Sequence, residues 1–214
     1  METFECWLPD WEYLHEACKS IVKKIKGDGF KPDVVIALSR GGFVPSRSIC
    51  DMLIVKDLVS IKVDHWGITA SKDGKAKIRY PLKVDLTGKK VLVVDDITDT
   101  GDSMIVSLDF LKSLNPKEIR TATTLHIKTS KFKPDYFGEE IDWKWVIFPW
   151  NYVEDMCNIV PKVLEDNPKS MDEIISNLKE NFKINISEED IIEILGELEE
   201  RDVIANDATG WKKT

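Results

Sequence analysis

No run of eighteen consecutive apolar residues occurs in the 214-residue chain, and residues 1–10 carry acids without an apolar segment. Neither a membrane span nor a secretory leader is therefore expected, and the expected location is the cytoplasm. Cysteine is sparse: Cys6, Cys18, Cys50 and Cys157 are scattered with no C-x-x-C pair, which suits reduced core thiols better than zinc or disulfides. The three histidines are equally dispersed, so no transition-metal site is expected. Basic charge is also in deficit, with 30 Lys and Arg against 38 Asp and Glu. The deficit is local, because residues 165–214 hold 14 acids and 6 bases whereas residues 1–164 hold 24 of each. With 43% hydrophobic residues the chain has ample material for a core.

Against this background residues 91–103 stand out, reading V-L-V-V-D-D-I-T-D-T-G-D-S. An aliphatic run that changes abruptly to acids, threonines and a glycine describes a buried strand ending at its carboxyl edge in a loop and a helix start. Open α/β sheets keep their ligands at such edges. Asp95 and Asp96 stand side by side, so they can offer carboxylates to vicinal hydroxyls or to a metal. Thr100, Gly101, Asp102 and Ser103 supply short side chains and N–H groups at a helix N-terminus, suited to a phosphate dianion. An N-capping acid and an ordinary D-T-G turn are the plainer explanation, and the joint occurrence of all four parts in order argues against it.

A second loop follows the short aliphatic run 34–38. Ser39, Arg40, Gly41 and Gly42 place two glycines and an arginine between a strand and a helix. Glycines let backbone N–H groups approach an anion closely, and the guanidinium pairs with phosphate oxygens.

The 91–103 stretch resembles the phosphoribosyl pyrophosphate (PRPP) binding motif of type I phosphoribosyltransferases, and S-R-G-G resembles the pyrophosphate loop of their purine-using members. The resemblance covers residues from about 5 to 155. It implies that Asp95 and Asp96 hold the ribose hydroxyls, directly or through Mg²⁺ that is bound partly by PRPP. Asp99 is implied as the catalytic carboxylate beside N7 of a purine. Asp99, Thr100, Gly101, Asp102 and Ser103 are implied to cradle the 5′-phosphate, with Asp102 expected to point outward. Ser39, Arg40, Gly41 and Gly42 are implied to hold the pyrophosphate, and in that family the peptide matching Ser39–Arg40 can be cis. The implied reaction displaces pyrophosphate from C1 of the ribose by a base nitrogen through an oxocarbenium-like state, catalysed mainly by positioning and electrostatics.

The base side is read further along. Periodicity predicts helices over 10–26, 42–55 and 103–114 and strands over 34–38, 58–63 and 118–127. Residues 64–77 are polar, with two glycines and three lysines, and read as a loop or loose hairpin; in the resembling family this region is a hood over the reacting atoms. His65 and Trp66 within it are left without a role. Trp143, Trp145 and Trp150 concentrate aromatic surface near a strand end, open to either core packing or stacking on a flat base. The resemblance implies that Trp145 stacks on the purine, that Val146 reads its edge through the backbone, and that Lys128 donates to an oxygen at C6. Ile97 and Asn151 complete the base-side candidates. Asn151 replaces the acid usual in the family, and an amide is both donor and acceptor, which weakens the expectation of a 2-amino purine.

Three further helical segments are expected at 151–166, 170–182 and 187–201, with capping boxes or close variants at Ser170–Glu173 and Ser187–Asp190. A small helical bundle is the simplest form; a winged helix with residues 202–211 as the wing is the alternative. Residues 187–201 hold seven acids and one arginine, so binding to nucleic acid is not expected. The expected fold is thus α/β, a type I phosphoribosyltransferase fold with a mostly parallel twisted sheet flanked by helices and a C-terminal helical bundle. Residues 1–152 would form the catalytic domain, including hood loop 64–78 and base segment 128–151, and residues 153–214 a helical extension. The expected function is purine salvage, 6-oxopurines being favoured over adenine. A PRPP-sensing regulator is the reading from another class and would call for a basic tail; a pyrimidine-base enzyme is disfavoured by Lys128 and Trp145-Val146. Expected partners are PRPP, a purine and the products, without nucleic acid or membrane, and a homodimer is implied by the family.

Overall fold

The computed structural model describes residues 3–65, 76–80, 82–164 and 167–214. Most of the expected hood loop, residues 66–75 including Trp66, lies outside the described residues. Two compact units are present, one of Trp11–Trp143 and one joining Met1–Asp10 to Lys144–Thr214.

The larger unit contains helices α1 (Trp11–Gly27), α2 (Phe43–Leu53) and α3 (Asp102–Lys112). Its strands are β2 (Val34–Ser39), β3 (Leu58–His65), β4 (Ala76–Tyr80), β5 (Lys90–Thr98), β6 (Glu118–Ile127) and β7 (Tyr136–Ile141), the two-residue β1 (Cys6–Trp7) belonging to the other unit. The sheet order is β4-β3-β2-β5-β6-β7, with every pair parallel except β3–β4 at one edge. Both faces are covered, which is why β2 and β5 are nearly continuous aliphatic runs rather than alternating ones. Val35, Leu92 and Val94 pack on one face with Ile21, Val22 and Ile25 of α1 and Ile49 of α2. Val34, Ile36, Val91 and Val93 pack on the other with Met104 and Leu111 of α3. Because α2 and α3 lie on opposite faces, the connections leaving β2 and β5 diverge, and a crevice opens between those two carboxyl ends.

The smaller unit contains β1, β8 (Trp145–Val146), α4 (Tyr152–Val163), α5 (Met171–Phe182), α6 (Glu188–Glu200), β9 (Ile204–Asp207) and β10 (Gly210–Lys213). β1 pairs in parallel with β8, Cys6 beside Trp145 and Trp7 beside Val146. β9 and β10 form an antiparallel hairpin, and Lys169 bridges to Trp211. Ser170 and Glu173 form the expected capping box, and the Ser187 hydroxyl accepts from Asp190 N–H at 3.1 Å.

The tail therefore has its three expected helices, followed by the β9–β10 hairpin. Helical spacing in the sequence predicts a stripe of Ile191, Ile192, Leu195 and Leu198 on α6, and the structure differs, since Ile192 is 57% exposed while Ile194 is buried. The unit boundary falls earlier than 152 because Ile147 and Cys6 share one core with Met156, Leu178, Phe182 and Leu195. Residues 144–152 accordingly pack with the tail.

Candidate functional site

The S-R-G-G turn is fixed by backbone crowding. Gly42 donates to the Leu38 carbonyl at 2.9 Å, and a β-carbon there would lie 2.5 Å from the Val94 carbonyl. The loop leaving β2 thus lies directly on β5, where no side chain fits. At Gly41 a β-carbon would lie 2.0 Å from Asp96 Oδ2, so the S-R-G-G loop and the acid pair touch. The Ser39 hydroxyl donates to the Ile61 carbonyl at 2.9 Å, tying the loop to β3. The Ser39–Arg40 peptide is cis.

Asp95, half-buried, and Asp96, buried, lie toward the carboxyl end of β5. Asp96 N–H donates to Asp95 Oδ1 at 3.0 Å and Ile97 N–H to Asp96 Oδ1 at 2.8 Å, so each carboxylate is oriented by the following amide. Thr124 Oγ1 holds the Asp96 carbonyl from β6. Burial first, and the neighbouring Asp96 charge second, push the Asp95 carboxyl well above the usual carboxylate range. Carboxylate oxygens are hard donors of the kind that suit Mg²⁺. Among the described residues no group of three or more His, Cys, Asp or Glu side chains forms a metal cage. Two adjoining carboxylates could supply part of the coordination of a hard divalent ion.

The loop of residues 99–101 follows at once. Thr98 is buried and donates to Thr123 Oγ1 at 3.2 Å, while Asp99 and Thr100 are exposed beyond it. Gly101, at φ +87°, is the N-cap of α3, and Asp102 N–H donates to Thr100 Oγ1 at 3.3 Å. The connection after β6 closes over this turn: Lys131 N–H donates to the Thr100 carbonyl at 3.1 Å, and a β-carbon on Gly101 would lie 2.6 Å from Phe132 Cβ. Lys131 Nζ sits 3.4 Å from Asp102 Oδ1. Lys131 and Phe132 are not legible as site residues in the sequence.

Of the base-side candidates, Ile97 and Lys128 belong to the larger unit and Trp145, Val146 and Asn151 to the smaller. Ile97 is half-buried on β5 beside Leu125. Lys128, just past β6, donates from Nζ to both Asp142 oxygens at 2.9 Å, a partner the sequence did not suggest. In the smaller unit Trp145 N–H donates to the Glu5 carbonyl and Ile147 N–H to the Trp7 carbonyl, each at 2.9 Å. The alternation of a parallel ladder then directs the backbone groups of Val146 away from β1. The Trp145 indole is half-buried, donates to Asp155 Oδ1 at 3.2 Å and lies 6.0 Å from the Phe4 ring. Asn151 stands at the N-cap of α4, yet its side chain makes no capping bond. Trp143 is 52% exposed and is not a core residue, while Trp150 stacks on Phe148 at 4.9 Å.

A doubly covered, mostly parallel sheet with an acid pair and two glycine-containing loops at adjoining carboxyl ends fits the type I phosphoribosyltransferase class. The chain belongs to the phosphoribosyl transferase domain family, whose sequence model matches residues 10–155. It is 28% identical over 154 residues to the xanthine-guanine phosphoribosyltransferase of Idiomarina loihiensis, covering 69% of this chain and 90% of that one. It is 30% identical over 145 residues to the hypoxanthine-guanine phosphoribosyltransferase of Aquifex aeolicus, covering 64% and 80%. Among solved structures, a purine phosphoribosyltransferase from Pyrococcus horikoshii superposes with a TM-score of 0.61 at 30% identity, over 68% of this chain and 93% of that one.

Proposed function

We propose that the protein transfers the 5-phosphoribosyl group of PRPP to a purine, forming a nucleoside 5′-monophosphate and pyrophosphate. The carrying observation is the contact of Gly41 with Asp96, which joins an anion loop to a carboxylate pair at one sheet edge. In this reading Ser39, Arg40, Gly41 and Gly42 hold the departing pyrophosphate, and Asp95 and Asp96 hold the ribose hydroxyls. Thr100, Gly101, Asp102 and Ser103 take the 5′-phosphate on the amides of the first turn of α3. Asp99 accepts or stabilises charge at N7 of the base. Asp95 and Asp96 would hold Mg²⁺, which when bound would supply neutralising charge for the departing anion.

Lys128, Ile97, Trp145, Val146 and Asn151 are the base-side residues of this proposal. An ammonium donates and cannot accept, so Lys128 favours an oxygen at C6, as in hypoxanthine, guanine or xanthine. The names of the relatives support the same class. Adenine is the second reading, supported by the engagement of Lys128 with Asp142, which draws the ammonium toward another acceptor. A homodimer in the cytoplasm is the expected setting; among the described residues no helix is long and apolar enough to cross a membrane.

The test is nucleotide formation from PRPP and Mg²⁺ with adenine, hypoxanthine, guanine and xanthine offered separately. The 6-oxopurines are expected to turn over fastest, and EDTA to abolish turnover. No turnover with any purine would overturn the proposal.

A further inference from the structure

The phosphate loop contains a charge of the wrong sign. Asp102 is the first residue of α3, where an acid alone is favoured by the helix dipole. The same first turn is proposed above to receive a phosphate dianion, which a carboxylate at that position repels. The sequence alone suggested that Asp102 points outward. The structure adds a cation: Lys131, 29 positions further along, places Nζ 3.4 Å from Asp102 Oδ1. Lys131 is also anchored by its own backbone, through N–H to the Thr100 carbonyl at 3.1 Å. Phe132 follows, packed close to Gly101, so the backbone that carries the lysine is anchored on the loop.

We propose that Lys131 is a positioning residue of the 5′-phosphate subsite, acting by neutralising Asp102 so that the first turn of α3 accepts a dianion. The inference depends on the phosphate role given to residues 100–103 under the proposed function. As a stabilising ion pair it is weak, because Lys131 is 71% exposed and Asp102 36% exposed. Its effect is expressed on ligand binding, where removing the lysine leaves an uncompensated carboxylate beside the phosphate. Two consequences distinguish this from a purely mechanical brace. The damage from losing Lys131 is undone by also removing the charge of Asp102, and it diminishes as salt rises, because screening weakens the repulsion.

The experiment is a four-protein cycle of wild type, Lys131→Met, Asp102→Asn and the double variant, with Lys131→Arg as the conservative control. PRPP affinity is measured by titration calorimetry with Mg²⁺ present, and turnover is assayed in parallel. Lys131→Met is expected to weaken PRPP binding by about 5- to 10-fold at low salt, and by less than about threefold at 0.5 M salt. The KM for the base should be unchanged. The double variant and Lys131→Arg are expected to return within about twofold of wild type. A double variant as weak as Lys131→Met, or a base KM that rises in step, would overturn the inference and leave only a structural brace. PRPP bound tightly by wild type without turnover would overturn the proposed reaction while the cycle still reports on Lys131. Wild type that fails to bind PRPP overturns both.

Discussion

The carboxylate of Asp96 fills the space a side chain at position 41 would need, with Cγ 2.4 Å and Oδ1 2.6 Å from where that β-carbon would stand. Asp96 is 8% exposed and its oxygen already accepts from Ile97 N–H, so it cannot retreat without losing that bond. Gly41→Ala should therefore displace a ribose-side carboxylate and the anion loop together. A misplacement on the order of 1 Å can cost about 100-fold in rate. The expected outcome is a fall of that size in kcat/KM for PRPP with the urea midpoint little changed, checked by steady-state kinetics beside denaturation curves.

The parts legible in the sequence are those whose signal is local. Val34–Ser39 and Lys90–Thr98 announce buried strands by composition alone, and Asp95 to Ser103 are contiguous, so order along the chain carries their grouping. Asp142 and Lys131 carry no local signal, because their partners Lys128 and Asp102 lie 14 and 29 positions away. β7 was not expected because Pro134, Gly138 and two glutamates imitate a loop. Its glycine is there because a β-carbon would lie 2.5 Å from the Thr124 carbonyl and 2.8 Å from Ala17 Cβ. On α6 a helical stripe constrains the face only to within a residue or two, and tertiary packing chose Ile194 over Ile192.

Gly101 combines a left-handed backbone with contact. At φ +87°, and with Phe132 N 2.9 Å and Cβ 2.6 Å from a would-be β-carbon, Gly101→Ala adds strain and a collision. The expected loss is about 2–4 kcal/mol, combining backbone strain with overpacking. Urea denaturation followed by intrinsic fluorescence measures it. An unchanged midpoint would contradict the described packing of Phe132 on the loop.

Lys128 should decide between purines. A charge-assisted hydrogen bond to an oxygen is worth about 1.5–3 kcal/mol, so Lys128→Met is expected to lower kcat/KM for hypoxanthine or guanine by about 10- to 100-fold. Adenine, which has no oxygen at C6, should change by less than about threefold on the same principle. Equal losses for all bases would remove Lys128 from base recognition.

His126 gives the larger unit a pH dependence of stability. It is 3% exposed, and burial holds its imidazole below the ordinary value, Lys133 adding to that and the Glu140 charge opposing it. A folded histidine with a lowered pKa takes up protons less readily than the unfolded chain. Stability is therefore complete above the unfolded value of about 6.5 and is lost as pH falls below it. The urea midpoint should decline between about pH 7 and pH 5 in wild type and decline less in His126→Gln, since the carboxylates common to both proteins cancel in the comparison. A steeper decline in the variant would reverse the sign assigned to His126.

The two units differ in how their pieces arrive. Trp11–Trp143 is one uninterrupted run, whereas the other unit needs residues from both sides of it, and the Glu5–Lys144 ion pair spans 139 positions. During vectorial synthesis at roughly 5–20 residues per second, β1 is exposed for on the order of 10–30 seconds before β8 exists to pair with it. The core that receives Cys6 and Ile147 is completed later still, by Leu178, Phe182, Leu195 and Ile204. The sheet with its two anion loops is thus the first part of the nascent chain able to fold, and the strand carrying Trp145 and Val146 gains its full support only when the β9–β10 hairpin has been made.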